Sequence, residues 1–185
     1  MGAIESSKAA KTRDHGGGLD AAVARWGGAR ATWLDLSTGI NPVPYPVDST
    51  VRDLPSDVWA ALPDRAAFEA LKTAARTLWQ VPDGFDILPT HGASAAISRL
   101  PQLFKVGGVD IPTPTYNEHA AAFAAHGWHD APTSPSLRVL VHPNNPDGAQ
   151  YRPADLGAPM NVIDESFCDI VPDASLLQSA DPGRT

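Results

Sequence analysis

The sequence is short of sulfur, of base and of long apolar runs. One residue in 185 is cysteine, Cys168, so no internal disulfide can form; a reducing compartment, the cytoplasm, is expected. Lysine and arginine total 14 against 21 acids, a formal net charge of -7. That balance argues against a general binder of nucleic acid or anionic membrane. No apolar run is long enough to span a bilayer. Residues 1–20 lack the basic start and apolar stretch of a secretory signal. His91, His119, His126, His129 and His142 show no metal-like spacing with acids or cysteine, so no metal site is expected. Cys168 has no evident base beside it and reads as a buried structural thiol. There is no internal repeat and no low-complexity block.

What is present suffices for a core. The apolar fraction is 43%, enough for one domain or a little more, and the 18 prolines are spread over many turns. Residues 1–13 read as a mobile tail. Residues 20–26 form a helix candidate between glycine runs, 33–36 a short apolar segment, and 37–46 irregular backbone rich in turn residues. Phe68, Leu71, Ala75 and Leu78 recur at helical spacing, which predicts a helix over 65–79 started by Pro63-Asp64.

The chain then alternates. Strands are expected at 85–88, 109–111, 137–141 and 161–163, and helices at 94–104 (interrupted by Pro101) and 117–125. That order implies an α/β fold with a mostly parallel sheet and helices on its faces. Ligands in such sheets sit beyond the carboxyl ends of the strands.

Four turns fall at those ends. Gly92-Ala93-Ser94 opens a helix whose first N–H groups and Ser94 hydroxyl suit a phosphate; taken alone, an ordinary N-cap is the plainer reading. In Pro114-Thr115-Tyr116-Asn117-Glu118-His119, Tyr116 either stacks on a flat ligand or caps the edge of the core. Asn144-Asn145-Pro146-Asp147-Gly148 is a turn in any case, and a cis Asn145–Pro146 bond would aim the Asn145 amide inward, toward a ring hydroxyl or a substrate carboxylate. Asp164 ends an apolar strand, where a carboxylate needs a partner. A protonated pyridine nitrogen would serve, and so would the next turn of backbone.

Each motif is weak alone, but their order and spacing are not. Gly-Ala-Ser, Pro-Thr-Tyr-x-x-His, Asn-Asn-Pro-x-Gly and Asp-Glu-x-Phe together resemble the fold type I pyridoxal phosphate (PLP) enzymes, the aspartate aminotransferase superfamily. The resemblance covers roughly residues 68–170. It implies that Ala93 and Ser94 bind the cofactor phosphate, that Tyr116 stacks on the ring, that Asn145 meets the ring hydroxyl and that Asp164 pairs with the ring nitrogen. Phe167 stands where many relatives carry tyrosine, and it has no hydroxyl to offer. His15-Gly16-Gly17-Gly18 and Ser37-Thr38-Gly39-Ile40-Asn41-Pro42 further resemble the threonine-phosphate decarboxylases of cobalamin synthesis. In that family this arm lies at the substrate end of the cleft, which nominates His15, Gly39 and Asn41, with Asn145, as substrate contacts.

The resemblance implies conversion of L-threonine O-3-phosphate to (R)-1-amino-2-propanol O-2-phosphate. The alternatives are an aminotransferase of the histidinol-phosphate type, or a non-catalytic fragment of the PLP fold. Family members carry the Schiff-base lysine beyond the strand-end aspartate. Lys8, Lys11, Lys72 and Lys105 do not match it, so a C-terminally truncated chain, inactive alone, is expected. The expected organisation is a tail and substrate-side arm over 1–60, then the first part of an incomplete PLP-binding large domain over 61–185. The partner expected is a phosphorylated amino acid, with no nucleic acid and no membrane; full-length relatives are homodimers.

Overall fold

The computed structural model describes residues 16–185, apart from the side chains of residues 48–50. Two compact units make up the chain, Met1–Ala60 and Ala61–Thr185. The first holds helices α1 (Leu19–Trp26) and α2 (Val47–Arg52) and short 3-10 turns. Around α1 the glycine-rich segment is tied down by polar contacts. The Ser37 hydroxyl accepts the Gly17 N–H at 2.7 Å and donates to Asp35 at 2.6 Å. The bond from the Ser37 hydroxyl, with that from the Ser37 N–H, holds the Asp35 carboxyl below its usual range. The expected tail at 1–13 lies outside the described residues.

The second unit holds α3 (Arg65–Leu78), α4 (Ala93–Arg99), β1 (Gly108–Asp110), α5 (Asn117–Ala125), β2 (His129–Asp130), β3 (Leu137–Val141) and β4 (Asn161–Asp164). The strands form one sheet in the order β2-β1-β3-β4, and every pair is parallel. The fold is therefore α/β with a parallel sheet and accompanying helices. Asp64 starts α3 as expected, its side chain accepting the Ala67 N–H at 2.9 Å.

A strand's pleat sends alternate side chains to opposite faces. Val109, Leu137 and Val139 lie on one face with Phe123 of α5 and Trp128, whose rings meet edge to face at 5.1 Å. Each fully buried aliphatic or aromatic side chain here contributes roughly 1.5–3 kcal/mol. The opposite face of β3 and β4 receives the C-terminal segment, a series of 3-10 turns from Cys168 to Ser179. That segment is also tied to the end of α3. Trp79 donates its indole N–H to Asp169 at 2.9 Å, and Gln178 donates to the Gln80 carbonyl at 2.7 Å.

Two expectations need correction, and one strand was not expected. Residues 85–88 form no strand. A strand exists only through pairing, and among the described residues this stretch finds no partner; the Phe85 carbonyl instead accepts from Arg76 at 2.5 Å. The helix expected over 94–104 runs over Ala93–Arg99 and then tightens into a 3-10 turn, Leu100–Gln102, because Pro101 has no N–H for the ladder. The short strand β2 carried no sequence signal: two exposed polar residues form it, and its pairing with β1 alone defines it.

Candidate active site

Asp164 is the last residue of β4, and the register places it beside Val141, on the α5 side of the sheet. It meets His119, which α5 presents there almost wholly buried (1% exposed). His119 Nε2 donates to Asp164 Oδ2 at 2.8 Å. The other carboxylate oxygen accepts the Ser166 N–H at 3.0 Å and its hydroxyl at 2.5 Å. Burial opposes a charge on Asp164, but the hydrogen bonds from His119 and Ser166 outweigh it and hold the carboxyl below its usual range. The carboxyl is 11% exposed, with the His119 ring and Ser166 as its side-chain partners and no arginine or lysine beside it among the described residues. His119 Nδ1 is buried without a hydrogen-bond partner among the described residues.

Tyr116 caps α5 and stands three positions before His119. That is one turn of helix, so the two rings share a side and meet edge to face at 6.3 Å. The Tyr116–His119–Asp164 chain joins the loop after β1 to the end of β4.

The loop after β3 joins the same rim. Asn144 is buried and saturated: its amide oxygen accepts the Thr115 hydroxyl at 2.6 Å, and its nitrogen donates to the Pro114 carbonyl at 2.9 Å and to Asp147 at 2.7 Å. The backbone bond from Ala149 and that side-chain bond from Asn144 hold the Asp147 carboxyl below its usual range. Asn145, half-buried, is different. Its side-chain amide makes no hydrogen bond among the described residues. The two asparagines have therefore divided the work, one as a strut and one with a free amide. The Asn145–Pro146 bond is cis, as are Thr113–Pro114 and His142–Pro143.

Ala93 and Ser94 open α4, which packs against α5; Gly92 precedes them in the left-handed region at φ 82°. Both are exposed, and neither their N–H groups nor the Ser94 hydroxyl is hydrogen-bonded among the described residues. Phe167 lies at the surface, just after the Ser166 turn. Gly39 and Asn41 belong to the first unit; the Asn41 side chain accepts the Val43 N–H at 2.9 Å and so shapes its own turn. Neither lines the hollow of about 640 Å³ in that unit, bordered by Gly16, Leu19, Trp33, Asp35 and Ser37. His15 lies outside the described residues.

His119 and Asn144 stand inside the sequence motifs but had no role assigned to them, and Ser166 was not singled out. The spacing of His119 from Tyr116 was a usable signal, since it puts both rings on one helical face. Nothing in the sequence told Asn144 from Asn145. On the opposite face, His142, Glu165 and Cys168 bring ligand-type atoms within 4.8 Å of one another. Each is already engaged: Glu165 accepts from the Ser175 hydroxyl at 2.8 Å and the Leu176 N–H at 2.7 Å, both His142 nitrogens are hydrogen-bonded, and the Cys168 thiol donates to the Val171 carbonyl at 3.8 Å. The cluster is a hydrogen-bonded tie. Cys168 is buried, and burial first, then the charges of Glu165 and Asp169, push its thiol up.

No family model matches the chain. Individual proteins do. A threonine-phosphate decarboxylase of Sinorhizobium sp is 36% identical over 184 residues, covering 90% of this chain and 54% of the relative. A threonine-phosphate decarboxylase of Pseudomonas aeruginosa is 34% identical over 187 residues, covering 88% and 52%. The chain is homologous to these threonine-phosphate decarboxylases, which supports a place in the PLP-dependent family. It spans about half the length of the curated relatives it matches. The strand-end geometry directs attention to the rim formed by β1, β3 and β4. No helix among the described residues is long and apolar enough to cross a membrane.

Proposed function

We propose that the rim is the PLP pocket of a decarboxylase acting on L-threonine O-3-phosphate, yielding (R)-1-amino-2-propanol O-2-phosphate and carbon dioxide. The observation that carries this reading is Asp164, a carboxylate kept ionised at a strand end with only a histidine ring and a serine as side-chain partners. An anion held in that way is prepared for a cationic ring nitrogen. The other donors fit the same guest. Asn145 brings an amide with unused hydrogen-bonding capacity, Tyr116 a half-buried ring beside His119, and Ala93 and Ser94 free N–H groups and a hydroxyl for a phosphate.

When bound, PLP supplies an electron sink for the pair released at the substrate α-carbon. Asp164 keeps the ring nitrogen protonated, and His119 keeps Asp164 oriented and charged. Asn145 would hold the ring through the ring hydroxyl and would also offer its amide to the substrate carboxylate. The arm residues His15, Gly39 and Asn41 are proposed substrate contacts. The names of the relatives favour decarboxylation over amino transfer, since Asp164 serves either outcome. Neither described lysine stands at the rim. Lys72 pairs with Glu69 on α3 at 3.2 Å, and Lys105 precedes β1, at the opposite end of the strand. By itself this chain is therefore proposed to bind PLP without turning over substrate.

Titration of the purified chain with PLP, followed by absorbance, tests the reading. Saturable binding is expected, weakened about tenfold or more in Asp164→Asn, a change worth roughly 1.4 kcal/mol. Unaltered binding in that variant would remove the ring nitrogen from Asp164. Borohydride treatment is expected to leave no specific lysine bearing a pyridoxyl group; such a lysine would contradict the proposed lack of turnover.

A further inference from the structure

His142 follows β3 directly and is fully buried, at 0% exposed. Continuing the register, it stands beside Glu165 on the face opposite Asp164. Its Nδ1 accepts the Tyr151 backbone N–H at 3.0 Å, and its Nε2 lies 2.7 Å from the Ala174 carbonyl. An N–H can only donate and a carbonyl can only accept. One neutral tautomer, with hydrogen on Nε2, satisfies both. The first bond closes loop 143–150, which carries Asn144 and Asn145 and is braced across its base by the Asn144 N–H to the Ala149 carbonyl at 2.8 Å. The second bond holds the 3-10 turn Pro172–Ala174 of the C-terminal segment.

Both bonds depend on the charge state of the ring. A second proton must go to Nδ1, where it would face the Tyr151 N–H, donor against donor. The groups around the ring offer no ready substitute. Glu165 and Cys168 lie within 4.8 Å, but both Glu165 oxygens are committed to Ser175 and Leu176. The Tyr151 ring is tilted at 6.3 Å, and Asp173, beside Ala174, points to solvent. Protonation therefore breaks the Tyr151 bond.

We propose that His142 is an acid-operated latch: neutral, it clasps loop 143–150 to the C-terminal segment, and protonated, it lets the loop and its asparagine pair go. This concerns the face away from the proposed pocket and does not rest on cofactor binding.

Amide hydrogen exchange of the whole chain between pH 7.5 and 5.0, corrected for the intrinsic pH dependence of exchange, tests it. The Tyr151 and Asn144 amides are expected to lose about tenfold or more of their protection on acidification. The Arg138 amide, bonded to Met160 within the sheet, is expected to hold. His142→Gln keeps a donor for Ala174 and has nothing to titrate, so its Tyr151 protection should not change with pH. Constant protection of Tyr151 in the natural chain overturns the latch, and so does an equal loss in His142→Gln. Ring nitrogen shifts of His142 in the natural chain provide a second measure should the variant not fold. Hydrogen on Nε2 at neutral pH, titrating in step with the Tyr151 amide, supports the latch; hydrogen on Nδ1 overturns it.

Discussion

Asp164 and Glu165 are adjacent acids with opposite fates. The pleat sends Asp164 toward α5 and Glu165 toward the C-terminal segment. Glu165 is used up, with one oxygen on the Ser175 hydroxyl and the other on the buried Leu176 N–H, and it pins a segment that has little regular structure of its own. Asp164 meets a histidine that orients it and a serine that closes its turn, and it remains an anion at the rim. The same chemical group, one residue apart, is a structural tie on one face and a poised charge on the other. What separates them is the environment that each face supplies.

The comparison can be broken by substitution. The largest stability effect is expected from Glu165→Ala. It strands the Leu176 N–H in a buried position, so unfolding free energy should fall by about 1–3 kcal/mol in denaturant titration, with PLP binding unchanged in the folded fraction. A shift in PLP affinity alone would mean that the two faces are not separate.

A smaller loss, about 1.5 kcal/mol, is expected for His119→Leu, which removes one charge-assisted hydrogen bond from Asp164. The acid limb of stability sharpens the test. Asp164 has a lowered carboxyl value in the folded state, so its contribution is fully present above the unfolded value, roughly 3.9, and is lost as pH falls through the folded one. Without His119 that value rises toward the unfolded one and the acid dependence flattens. An identical acid limb in both proteins would show that His119 does not set the charge of Asp164.

The smallest effect belongs to Asn145→Ala. With no hydrogen bond to lose, it should change unfolding free energy by less than about 0.5 kcal/mol while weakening PLP binding. Marked destabilisation would place Asn145 with Asn144 as a strut.

Much of this molecule was legible before its fold was known. The apolar runs at 137–141 and 161–163 predicted β3 and β4 closely, and Asp64 marked the start of α3. Alternation of strand and helix implied the parallel sheet. The two errors about strands share one cause. Residues 85–88 have strand composition without a strand partner, and β2 has a partner without strand composition. The apolar stripe of α3 was read correctly as a helix face, yet Phe68, Leu71 and Leu78 stay 45–70% exposed, because periodicity reports a face and not what covers it.

Local chemistry was written in the chain itself: which segments extend or coil, where turns fall, and that an acid ends an apolar strand. Those properties depend on near neighbours and on the two- and 3.6-residue periods of the backbone. Only tertiary structure decided that His119 rather than solvent meets Asp164, that Asn144 is spent and Asn145 free, and that His142 joins two distant segments. Each of these is a contact between residues far apart in sequence, and a hydrogen bond is decided by where its partner finally stands.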